Sequence, residues 1–134
     1  MPITFVSLTQ DERDLLAAEA IHVREIEAHC YGANVAQYEA LLASAEIAAL
    51  PAIWPAALAG FQGSSRDAVI ASNLSAESRD LVLALQHRDR LRMLLACEKH
   101  ELGKVEKYHD EAVKAIPSAR LAAAILAARA KRAR

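Results

Sequence analysis

The chain reads as all-α: a long antiparallel helical hairpin with short helices in its connector and a further helix at its C-terminal end. Three observations carry that reading. Two proline-free stretches, one before Pro51 and one before Pro117, repeat their apolar residues at helical spacing. Thirty of the 134 residues are alanine, which favours helix and allows close helix approach. Between the two stretches, Pro51, Pro55, Gly60 and Gly63 break the pattern into short pieces.

The first long helix is expected over 9–44. Thr9 can cap it, and Asp11 and Glu12 suit the positive end of its dipole. Ala17, Ala20, Ile21, Ala28, Tyr31, Val35, Tyr38 and Leu42 fall on one stripe at 100° per residue. Gly32 is the one weak point in its continuity. Residues 45–75 form the connector, in which Ile53, Trp54, Leu58 and Phe61 in one piece, and Val69 and Ile70 after Ser64 or Ser65 in a second, point to two short helices capping the core.

Ser75, followed by Glu77 and Asp80, starts the second long helix, expected over 76–116. Its stripe contains Leu91, Leu94, Leu95, Leu102, Val105, Ala112, Val113 and Ile116. After Pro117, Ser118 can cap a third, alanine-rich helix. The expected division is a hairpin domain over 1–116 and a basic C-terminal helix or tail over 117–134.

Each long helix would extend about 54–60 Å at 1.5 Å per residue, and a lone hairpin of that length buries only one side of each. Ala33, Ala36, Ala40 and Ala43 lie off the main stripe, where a partner helix fits. Self-association into a coiled-coil bundle, with two-fold symmetry as its commonest form, is therefore expected.

Two charged residues interrupt the stripes: Arg24 between Ile21 and Ala28, and Glu98 between Leu95 and Leu102. An antiparallel register that places Ser44 near Ser78 makes facing residue numbers sum to about 122, which brings Arg24 to Glu98. The expectation is a desolvated ion pair that fixes the hairpin register.

Glu19-x-x-His22 and Glu106-x-x-His109 share the spacing that puts a carboxylate and an imidazole on neighbouring turns, as in di-iron bundles. In that register the two pairs lie at different levels, so metal binding is the alternative reading and no cofactor is expected. His87-Arg88-Asp89 lacks the downstream Asn, the glycine loop and the DFG of a kinase, and it sits inside a helix. Nucleophile elbows, phosphate loops and zinc motifs are also absent from the sequence.

The formal charge is −1, with +5 beyond residue 116 and therefore −6 before it. Arg120, Arg129, Lys131, Arg132 and Arg134 make that tail a separate electrostatic unit without an aromatic residue to stack on bases. Nucleic-acid contact through the tail is a further alternative; a solvated tail or an assembly arm using Leu121, Ile125 and Leu126 is favoured. Arg88, Arg90 and Arg92 add a basic cluster to the second long helix.

Cys30 and Cys97 have no CxxC spacing and are expected to be reduced thiols. Without a basic n-region or an apolar h-region at the start, and without eighteen uncharged apolar residues in a row, a cytoplasmic protein with no membrane span is expected. In texture the chain resembles bacterial and phage accessory or assembly proteins. The functional expectation is a non-enzymatic adaptor, assembly factor or inhibitor acting by self-association and protein contact. Its partner surfaces would be the alanine face, Trp54 and the basic residues Arg129, Lys131, Arg132 and Arg134.

Overall fold

The structure, a computed structural model, describes residues 9–114 and 118–132. Of these, 84% are helical and none forms a strand. Helix α1 spans Gln10–Leu42 and α2 spans Ala45–Ala48; a 3-10 segment covers Ala56–Phe61. Helix α3 follows at Arg66–Ile70, then α4 at Ala76–Lys114 and α5 at Ser118–Arg132. The two long helices α1 and α4 pack against each other, as the hairpin reading requires.

The helix ends follow local chemistry. At the start of α1, Thr9 Oγ1 accepts from the Glu12 amide at 3.2 Å, and the Thr9 amide donates to Glu12 Oε1 at 3.0 Å. This reciprocal capping box satisfies two otherwise free amides and fixes the entry of the chain. These hydrogen bonds hold the Glu12 carboxyl below its ordinary range. Ser75 Oγ likewise caps α4 by accepting from the Ser78 amide at 3.2 Å, and Ser65 Oγ caps α3 from the Ala68 amide at 3.2 Å. Helix α1 continues through Gly32 without interruption. Helix α5 begins at Ser118, whose side chain lies outside the described residues.

Two compact units make up the chain. The first combines the described residues up to Gly32 with those from His100 onward. Its buried residues include Asp14, Ala18 and Ile21 from α1, Val105 from α4 and Ala128 from α5. The second is Ala33–Lys99, built around Trp54, Leu58, Val69, Val82 and Leu85. Leu50, Phe61, Leu74, Leu81 and Leu83 pack on that core, so the connector contributes much of its apolar bulk.

The register differs from the expected one. In the first unit the Arg24 guanidinium lies 5.6 Å from the Tyr108 ring centre, and His109 Nε2 is 3.6 Å from Glu25 Oε1. In the second, Asn34 Nδ2 donates to Glu98 Oε2 at 3.2 Å, and Leu42 shares a small cavity with Arg88 and Arg92. Arg24 with Tyr108 and Asn34 with Glu98 both sum to 132 rather than about 122. The offset leaves the first turns of α4 beyond the end of α1 at Leu42, and there Val82 and Leu85 are buried in one cluster with Trp54, Leu58 and Val69 of the connector. An overhang of a few helical turns is thereby covered.

The ion pair expected between Arg24 and Glu98 is accordingly replaced. Arg24 Nη1 binds both carboxylate oxygens of Glu27, at 3.0 and 3.2 Å, one turn along the same helix. Glu98 is satisfied by Asn34, a short neutral donor absent from the sequence reading.

Candidate functional site

The residues singled out by sequence separate into inward and outward groups. Trp54, expected to face a partner, is turned inward: it is 9% exposed and its Nε1 donates to Asp89 Oδ2 at 2.9 Å. Pro55, directly after it, limits the Trp54 backbone, and the indole packs with Val82 and Leu85 of α4 while its one donor is satisfied. Arg88, expected in a solvated basic cluster, is also buried, at 3% exposure, and donates to the carbonyl oxygen of Pro51. Arg90 and Arg92 are exposed. Helical geometry turns Arg90 away from Arg88, since residues two apart point to different sides, whereas Arg92, four positions on, shares the side of Arg88 and a small cavity with it.

The connector is held to α4 mainly through its own carbonyl groups. Gln86 Nε2 donates to the carbonyl oxygens of Phe61, at 3.0 Å, and Ser64, at 2.9 Å. Arg79 Nη2 reaches Ser72 O at 3.3 Å. Between Phe61 and Ser64, Gly63 adopts φ +83°, the left-handed conformation that costs other residues about 1–2 kcal/mol. Sequence reading placed the turn residues here but not the side chains that grip them.

In the C-terminal helix, Lys131 Nζ lies 3.2 Å from Glu19 Oε1, and Arg120 pairs with Asp14. Asp14 is 8% exposed, a buried acid whose charge meets a guanidinium. These contacts lay α5 along the first part of α1 in the same chain. The side chains of Arg129 and Arg132, and Arg134 as a whole, lie outside the described residues, as does Ile116.

The ExxH residues are divided among different neighbours. Glu19 is engaged by Lys131, and His22 Nδ1 lies 4.0 Å from Glu25 Oε2. Glu106 and His109 line a cavity of about 250 Å³ with Glu25, Ala28 and Asp110. Among the described residues, no group of three or more His, Cys, Asp and Glu side chains is arranged to hold a metal ion. No described helix is long and apolar enough to cross a membrane. Cys30 and Cys97 are both free and exposed.

A further candidate surface lies on the outside of α1. Leu16 is 52% exposed, Val23 38% and Ile26 48%, and Cys30 is exposed beyond them. Leu16, Glu19, Val23, Ile26 and Cys30 are spaced alternately three and four residues apart, which is the heptad seam of a coiled coil. In the second unit, the four alanines expected to meet a partner, Ala33, Ala36, Ala40 and Ala43, are all exposed. Glu19, the one acid in the seam between Leu16 and Cys30, is paired with Lys131. The large residues of the seam were missed in sequence because the inward stripe of α1 is read first; the alternation from Leu16 onward was the available signal.

No protein-family model, curated protein or solved structure matches the chain, so these surfaces rest on their own chemistry.

Proposed function

We propose that the protein is a non-enzymatic helical interaction protein, an adaptor or assembly factor, that self-associates through the outer seam of α1. The observation that carries this reading is the exposed heptad row Leu16, Val23, Ile26 and Cys30. A seam that presents the same residues at the same spacing on each copy is complementary to itself about a two-fold axis, which is the commonest symmetry of soluble assemblies. The occupant of the seam is therefore a second copy of this chain. Neutralisation of Glu19 by Lys131 removes the main electrostatic obstacle to closing the two rows together.

Sedimentation equilibrium tests the proposal. The wild-type chain is expected to form a concentration-dependent dimer, and the double substitution Val23→Lys, Ile26→Lys is expected to give a monomer with unchanged helix content by circular dichroism. A strictly monomeric wild-type chain at about 1 mM, a concentration at which even a millimolar affinity would register, overturns the reading.

A further inference from the structure

On α4, residues Leu83, His87, Arg90 and Met93 recur every three or four positions and share one side of the helix. The Gly63–Ser64 turn and the start of α3 stand over that side. Together they enclose an open groove of about 700 Å³, within the range of small-molecule sites. Its wall is fixed rather than loose: Gln86 clamps the carbonyls of Phe61 and Ser64, and the Ser64 amide donates to Phe61 O at 3.1 Å across the Gly63 turn.

The lining divides into two chemistries. Leu83, Ala84 and Met93 supply an apolar strip, and Met93 is 60% exposed along it. Arg66, from α3, and His87 and Arg90, from α4, supply the other part. Neither arginine makes a hydrogen bond or an ion pair among the described residues, in contrast to Arg24, Arg79, Arg88 and Arg120. Asp89, the one acid in the lining, is already bound to Trp54 and flanked by Arg88 and Arg92, at 3.8 and 3.9 Å. Its charge is thus offset locally and leaves the two arginine forks available to an anion.

We propose that this groove binds a small organic anion, with a phosphate- or sulfonate-like group between Arg66 and Arg90 and an apolar body on Leu83, Ala84 and Met93. His87 stands beside the anionic group as a third donor. Binding here would make the protein a ligand-responsive interaction module, a property that the seam on α1 does not supply and that stands without it.

The fold provides its own reporter. Trp54 is the single tryptophan, and its indole is hydrogen-bonded to a residue of the groove wall. The full chain is titrated with anilinonaphthalene sulfonate, followed by calorimetry and by Trp54 emission, with inorganic pyrophosphate as competitor. One saturable site is expected, displaced by pyrophosphate. The exposed pair Arg66→Gln, Arg90→Gln should weaken it by about tenfold or more, as loss of charge-assisted hydrogen bonds implies. Binding should be unchanged in Val23→Lys, Ile26→Lys, which separates the groove from the seam. Equal affinity of the Arg66→Gln, Arg90→Gln variant, equal affinity for anilinonaphthalene lacking the sulfonate, or absence of a saturable site overturns the proposal.

Discussion

The indole nitrogen of Trp54 and the carboxylate of Asp89 meet at 2.9 Å, thirty-five positions apart in the chain. This hydrogen bond joins the proline-flanked centre of the connector to the middle of α4 and makes one side chain serve both apolar burial and polar anchoring. Replacing Trp54 by Phe keeps most of the burial and removes the donor. A loss of about 1–3 kcal/mol is expected in urea unfolding followed by circular dichroism, because the remaining carboxylate loses a partner. Unchanged stability would mean that solvent satisfies Asp89 equally well.

Three arginines spaced two apart on α4 should differ sharply in their effect on folding. Arg88→Ala removes the guanidinium that satisfies Pro51 and empties buried space, for a cost of roughly 2–3 kcal/mol. Arg90→Ala and Arg92→Ala change exposed side chains and should stay within about 0.5 kcal/mol. Thermal unfolding of the three variants provides the comparison, and similar losses in all three would contradict the burial of Arg88.

The register makes a prediction about coupling. Arg24 is engaged by Glu27 and Tyr108, and Glu98 by Asn34, so Arg24→Met and Glu98→Met should act independently. Their double-mutant cycle is expected to close to within about 0.5 kcal/mol. A coupling energy of roughly 3 kcal/mol would restore the direct pairing of the two charges.

Glu12 is expected to titrate below the reference value of 4.5, since the Thr9 amide and hydroxyl contacts favour its ionised form. A folded-state pKa depressed in this way adds stability above the usual Glu range, and that contribution is lost as the pH falls through the lowered value. Carboxyl-carbon NMR titration of the wild type and of Thr9→Ala measures it directly. The substitution removes the hydroxyl and keeps the backbone amide, so it should raise the Glu12 pKa part of the way toward its reference value, and an identical titration in both proteins would remove the Thr9 hydroxyl as a cause.

Helix boundaries were legible in the sequence because short-range chemistry sets them. Thr9 and Ser75 place the starts of the long helices at Gln10 and Ala76, against expected starts of 9 and 76, and α1 ends at Leu42 against an expected 44. Registry was not legible: in stripes this rich in alanine, a shift of some turns exchanges one small apolar contact for another, and nothing local penalises the wrong choice. The distinction between Arg88 and Arg90 was hidden for a related reason. Which arginine turns inward depends on where the Pro51 carbonyl lies, and that position follows only from the path of the whole connector.

The grip of α4 on the connector through main-chain oxygens has an evolutionary consequence. Gln86, Arg88 and Arg79 bind groups that every amino acid carries, so the outward positions Ala52, Ile53, Ala57 and Ala59 are free to vary without loosening the attachment. A saturation mutagenesis library should tolerate wide diversity along that strip and almost none at the three grasping side chains. The strip is consequently the part of the molecule on which a new specificity could be written at the least risk to folding.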